Sequence, residues 1–166
     1  MKKQCFFENA ILLNKCFGIS PLMYGSLGLE YITNENLNAD DIDILIPEVF
    51  ITEKWNEFKS VLTGEGYTML DEHEHIFEKN GILYSYASID ELKSFSGIEL
   101  SDVQQLCSRG IKFKVLSLEQ YLKVYISSSK DGYRINVRKK KDADKISLIQ
   151  KHLAFTNNNT QKGEEK

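Results

Sequence analysis

The segment Asp41-Ile42-Asp43-Ile44-Leu45-Ile46-Pro47 constrains this chain more than any other. It reads as a strand closed by proline. Residues two apart in a strand share a face, so Asp41 and Asp43 project side by side while Ile42 and Ile44 pack on the other face. Two adjacent carboxylates repel, a costly arrangement unless a cation sits between them. Mg²⁺ with nucleotide phosphates is the usual solution. Taken alone, Asp40-Asp41-Ile42-Asp43 also suits a solvated strand start. A second element narrows the choice. Upstream, Tyr24-Gly25-Ser26-Leu27-Gly28-Leu29-Glu30 reads as strand, tight glycine turn and helix start. Gly25 lets the backbone approach a ligand closely. Ser26 sets a hydroxyl beside the free N–H groups of a helix N-terminus, which favour phosphate. Taken singly, Gly25 and Gly28 read equally as turn glycines.

Gly25-Ser26-Leu27-Gly28-Leu29-Glu30 followed by Asp41-Ile42-Asp43-Ile44 resembles the nucleotidyltransferase superfamily, with its polymerase-β-like fold. It is most similar to the small lincosamide- and aminoglycoside-modifying members, and more distantly to the head domains of tRNA CCA-adding enzymes. The resemblance covers residues from about 20 to 150. It implies Mg²⁺-dependent transfer of a nucleoside monophosphate from a triphosphate, ATP among the candidates, to a hydroxylated acceptor. By that resemblance Asp41 and Asp43 are the catalytic metal ligands, and Gly25 and Ser26 hold the β- and γ-phosphates. Such a displacement relies on positioning and charge neutralisation, and two metal ions can hold the attacking and leaving oxygens.

The pattern departs from these relatives at two places. Their third carboxylate follows a hairpin glycine, and here Gly81-Ile82-Leu83-Tyr84 places Tyr84 at that point. A phenol titrates near pH 10 and is no base at neutrality. Asp90 has the right parity but lies about 20 Å further along an extended strand. Glu78, on the opposing strand, is the other candidate. The loop before Asp41 carries an extra acid, Asp40, where relatives carry basic residues; it strengthens cation binding and weakens attraction for triphosphate.

The chain has 166 residues, enough for one domain with a real core, and its apolar and charged content is that of an ordinary globular protein. No stretch approaches the roughly 18 apolar residues of a membrane span. The start has no long apolar region, so no signal peptide is expected. Cys5, Cys16 and Cys107 are odd in number and lack a Cys-x-x-Cys, which points to reduced thiols in the cytoplasm. A net charge of −3 argues against a surface that grips nucleic acid everywhere. It leaves one basic run, Arg134, Arg138, Lys139, Lys140 and Lys141, which reads as a site for triphosphate or RNA or as a solvated connection.

Apolar spacing predicts helices over 5–17, 27–32, 52–62, 117–127 and 142–153, the fourth opened by the capping box Ser117-Leu118-Glu119-Gln120. Strands are predicted at 22–24, 42–46, 67–70 and 111–115. Asn80-Gly81 joins a hairpin of 74–79 and 82–89. Residues 128–132 read as loop and 156–166 as a disordered tail after a single domain, 1–155. The fold class is α/β (α+β), a mixed sheet with helices mainly on one face. His73 and His75 share a predicted strand face and read as surface histidines or as a metal pair. Tyr84 and Tyr86 read as sheet aromatics or as a platform for a base.

These features leave three functional readings. The chain is an active nucleotidyltransferase, or a degenerate member that keeps a nucleotide site, or a non-enzymatic interaction or regulatory module.

Overall fold

A computed structural model describes residues 1–130 and 132–161, with side chains for 1–130 and 141–156. In chain order the helices are α1 (Lys2–Phe17), α2 (Gly25–Thr33), α3 (Trp55–Gly64), α4 (Leu92–Ser96), α5 (Leu118–Lys130) and α6 (Gly132–Gln161). The strands are β1 (Leu22–Met23), β2 (Ile42–Ile46), β3 (Thr68–Asp71), β4 (Ile76–Lys79), β5 (Ile82–Ser88), β6 (Gln104–Ser108) and β7 (Ile111–Val115). They form one sheet in the order β3-β4-β5-β2-β1-β7-β6. Pairing is mixed: β2–β5 and β1–β7 run parallel, the other neighbours antiparallel.

The strand pleat sorts the core into two clusters. Ile42, Ile44 and Ile46 share a face with Met23, Tyr84, Tyr86, Phe77 and Phe113, and α1 and α3 bury it with Phe6, Ala10, Leu13, Phe58 and Leu62. Leu22 and Leu45 point the other way, where α5 and α6 bury them under Tyr121, Val124, Tyr125 and Ile149. The fold is thus the predicted mixed sheet with helices. Among the described residues, α5 and α6 pack over β1 and β2 on the second face. On the same face of β5, among the described residues, Leu83 is 40% exposed, Ala87 is exposed and Ser85 is half-buried.

Local chemistry explains the junctions. α1 ends at Gly18, whose φ of 65° is the left-handed cap that glycine accepts without strain. Asn80 and Gly81 both take positive φ, as a two-residue hairpin turn requires. In the capping box, Ser117 Oγ accepts from the Gln120 N–H and Gln120 Oε1 accepts from the Ser117 N–H.

Several predicted elements differ. The last helix begins at Gly132, not 142, and runs through Gln161, so residues 156–161 are helical where a disordered tail is predicted. Residues 162–166 lie outside the described residues. The 128–132 loop is shorter than predicted, because α5 continues to Lys130. β4 begins at Ile76, which puts His73 and His75 in the turn before it. β6 and α4 are not anticipated. Among the described residues no helix is long and apolar enough to cross a membrane.

Candidate functional site

The site is built where β1 turns into α2 beside the start of β2. The Tyr24 N–H donates to the Asp43 carbonyl at 3.0 Å and ties the turn to β2. Gly25 follows with a φ of 59°, in the left-handed region. A Cβ on Gly25 would overlap Asp43 Oδ2 and lie 2.8 Å from its Cγ. The carboxylate of Asp43 therefore rests directly on the Gly25 backbone, and no other residue type leaves it that room. Gly28, one turn into α2, serves packing. A Cβ there would overlap the Met23 carbonyl oxygen and the Tyr121 hydroxyl. That hydroxyl, fully buried, donates to the same Met23 oxygen at 3.1 Å. Burial first, then neighbouring Tyr125, Tyr24 and Asp43, pushes its pKa well up, so it stays a neutral donor.

Asp41 stands just ahead of β2 rather than within it. Both carboxylates are partly exposed. The loop that delivers them is held by Glu30, nearly buried, whose Oε1 accepts the N–H groups of Leu37 and Ala39, both at 3.0 Å. Glu30 belongs to the glycine motif but has no evident partner from sequence. Its role depends on contacts seven and nine residues away.

α6 closes the other side. Lys145 Nζ donates to Ser26 Oγ at 2.9 Å and lies 4.9 Å from the Tyr125 ring centroid. One turn earlier Lys141 Nζ is 3.6 Å from Asp40 Oδ2, so the extra acid faces a cation. Sequence reading overlooks Lys145. The usable signal is its spacing, four residues before the buried Ile149 on the inward face of an amphipathic helix. Of the basic run, only Lys141 has a described side chain; Arg134, Arg138, Lys139 and Lys140 lie outside.

The third carboxylate is not at the predicted places. Parallel register pairs Ile42 with Tyr84 and Asp43 with Ser85. Paired residues share a face, so Tyr84 points into the α1–α3 core, away from Asp43. It is 3% exposed against the ring of Tyr67, and burial raises its pKa further. Tyr86 is equally buried, its hydroxyl 2.7 Å from Asn9 Nδ2. Neither tyrosine is a platform for a base. The residues of β5 on the Asp43 face are Leu83, Ser85 and Ala87.

Glu78 pairs with Leu83 and so shares this face, but one strand further out, about 10 Å from β2. Its carboxylate accepts the Gly81 N–H and is committed to the hairpin turn. Asp90 accepts the Glu48 N–H at 2.9 Å, at the far end of β2. Neither replaces a carboxylate beside Asp43. Among the described residues no group of three or more His, Cys, Asp or Glu side chains converges as a metal site. His73 is exposed beside Glu74, and His75 packs its ring 4.6 Å from that of Trp55.

A sheet of this order, with a glycine-led helix seated on an acidic strand, is the nucleotidyltransferase fold. The crystal structure of ANT(2'')-Ia in complex with adenylyl-2''-tobramycin superposes with a TM-score of 0.61 over 92% of this chain and 90% of that one, at 12% identity. An antigenic nucleotidyltransferase-like protein from Paracoccidioides brasiliensis gives 0.61 over 89% of this chain and 74% of that one, at 14% identity. Identities this low speak for the fold alone. No protein-family model matches the sequence. The chain belongs to the family of the uncharacterized protein YnaI of Bacillus subtilis (strain 168), to which it is 39% identical over 146 residues, 88% of this chain and 94% of that protein.

Proposed function

We propose that this chain binds a nucleoside triphosphate with Mg²⁺, and that the site serves transfer of the nucleoside monophosphate to a hydroxylated acceptor. The observation that carries this reading is the seating of the Asp43 carboxylate on Gly25, which joins the acidic strand to the start of α2. The donor set suits the ion: two carboxylates two positions apart offer the hard oxygens that Mg²⁺ prefers. Asp41 and Asp43 would hold it, and when bound it would neutralise charge on the phosphate oxygens. The chain's own groups supply the rest. The first turn of α2 carries no acidic residue, and the N–H groups of a helix N-terminus would favour an anion. Ser26 adds a hydroxyl. Glu30 fixes the loop that places Asp41.

A second reading, binding without transfer, is favoured by one observation. On β5 the Asp43 face offers Leu83, Ser85 and Ala87, none of which accepts a proton at neutral pH. Such a protein would act as a nucleotide-binding or regulatory module. A cytoplasmic setting is proposed for either reading, supported by three free cysteines, two of them exposed. RNA binding through the Arg134–Lys141 run is not favoured.

Calorimetric titration with ATP, GTP, CTP and UTP, with and without Mg²⁺, tests the reading. Mg²⁺-dependent binding of at least one triphosphate is expected; no binding at millimolar nucleotide contradicts it. Pyrophosphate release across a panel of hydroxylated acceptors then separates the two readings, since binding without release in every case supports the second.

A further inference from the structure

We propose that Lys2 is a positioning residue of this site: from the first turn of α1 it clamps the Ala39 peptide and so fixes where Asp41 stands; this rests on the nucleotide-binding reading above. Residues 34–39 belong to no helix or strand, yet they lead directly into Asp40 and Asp41. Side chains hold them instead. Glu30 Oε1 accepts the N–H groups of Leu37 and Ala39, and Asn36 Oδ1 accepts that of Asn38, each at 3.0 Å. Asn38 takes a φ of 52°, a left-handed turn that asparagine tolerates. The Ala39 carbonyl comes next along the chain, and Lys2 Nζ donates to it at 2.5 Å. Ala39 is thus held at its N–H by a carboxylate from α2 and at its carbonyl by an ammonium from α1. Its side chain is buried in the core cluster beneath α1. Asp41 follows two residues later.

Helix chemistry does not account for a lysine at this position. The N-terminus of a helix carries partial positive charge, so a cation in the first turn is unfavourable. α1 nevertheless opens with Lys2 and Lys3 and has no acidic residue in its first turn. A residue that breaks a local rule calls for a compensating contact. Both lysines have one, since Lys3 Nζ donates to the Glu30 carbonyl at 3.2 Å. Lys2, Lys3 and Glu30 line one cavity of about 310 Å³, so two ammoniums border the carboxylate that holds the loop. Of the two, Lys2 reaches the loop itself. Removing it takes a charged donor from a carbonyl that is nearly shielded from water, which favours a shift of the Ala39–Asp41 segment. A metal ligand tolerates displacement of only about 0.5 Å, and Mg²⁺ demands near-ideal octahedral geometry. Lys2 therefore acts through Asp41 and not by touching nucleotide.

Two measurements test this. The first is the Mg²⁺ concentration that half-saturates binding at a fixed concentration of ATP, GTP, CTP or UTP. Lys2→Met keeps the apolar stem and removes the charge. It should raise that concentration about tenfold, the effect of losing a charge-assisted hydrogen bond. Lys2→Arg should recover most of the loss, and Lys15→Met, exposed in the last turn of α1, should match the wild type. The second is amide hydrogen exchange without nucleotide or metal. In Lys2→Met the Ala39 and Leu37 N–H groups should exchange about tenfold faster relative to those of β2. Both Lys2 variants should keep the wild-type circular-dichroism spectrum, because Lys2 is half exposed. A Mg²⁺ requirement for Lys2→Met within about twofold of wild type would overturn the proposal. So would unchanged exchange at Ala39, or unfolding of both variants, which would give Lys2 a role in the fold alone. If the wild type binds triphosphate and Lys2→Met binds it equally well, only Lys2 has been misassigned. If the wild type binds no triphosphate with Mg²⁺, the nucleotide reading falls and this role falls with it.

Discussion

The carboxylate of Asp43 fills the space in which a side chain on residue 25 would begin. Gly25 also holds a φ of 59°, which costs a residue with a Cβ about 1–2 kcal/mol. Gly25→Ala therefore should both destabilise the fold by at least that amount and displace Asp43. Gly66 is the control: its φ is 85° but nothing lies within 4 Å of an added Cβ. Urea unfolding should show Gly66→Ala losing stability alone, while Gly25→Ala also loses Mg²⁺-dependent nucleotide affinity. Equal nucleotide affinity in the two variants would mean that the Gly25–Asp43 contact has no part in binding.

Leu83 and Tyr84 make opposite predictions although they are adjacent. Leu83 lies on the Asp43 face and is 40% exposed, so Leu83→Asp should fold and raise Mg²⁺ affinity by adding a third carboxylate. Tyr84→Asp would bury a carboxylate among Tyr67, Cys5 and the α1 core. It should cost about 3–5 kcal/mol, enough to unfold a marginal domain. Thermal unfolding and Mg²⁺ titration of both variants check this. A folded Tyr84→Asp protein that binds Mg²⁺ more tightly would show the faces to be assigned the wrong way round.

That pair also marks where sequence reading ran out. Ile42–Ile46 and Ile111–Val115 were legible to the residue, because alternating or aliphatic runs bounded by turn residues leave a strand few other choices. The Asn80-Gly81 hairpin was legible for its turn chemistry. The face taken by Tyr84 was not legible: the side chain points into the core and not toward Asp43. Strand side chains alternate, so one position changes the face completely, and only the β2–β5 register shows which face Tyr84 takes. β6 escaped because Gln104–Ser108 is a polar edge strand with no buried side to give it a period. The early start of α6 escaped because its first turns have no apolar stripe. Of the four motif residues Asp41, Asp43, Gly25 and Ser26, the structure brings Gly25 and Asp43 into contact. Glu30 and Lys145 act through partners distant in sequence, which spacing alone does not reveal.

His75 gives the fold a pH dependence of known sign. Burial against Trp55 is the first cause that lowers its pKa from 6.5, with His73 adding to it and Glu74, Asp71 and Glu72 opposing. A base whose pKa is depressed in the folded state binds fewer protons there than when unfolded. Its contribution is complete above pH 6.5 and declines as pH falls below that value toward the folded pKa. The decline should be small, because the ring is half exposed. His75 sits at a φ of 52°, so His75→Asn, which tolerates that conformation, removes the titration with little strain. Melting temperatures at pH 7.5 and 5.5 should differ less in the variant than in the wild type; an equal or larger difference would assign the dependence to other groups.

The central claim is that Asp41 and Asp43 form the metal-dependent half of a nucleotide site. Asp41→Asn/Asp43→Asn keeps size and polarity while removing both charges. Calorimetric titration of this variant with the triphosphate that binds the wild type, in the presence of Mg²⁺, tests the claim most directly. An unchanged circular-dichroism spectrum and loss of the Mg²⁺-dependent part of the affinity are expected. A folded variant that binds triphosphate with wild-type, Mg²⁺-dependent affinity would contradict the claim.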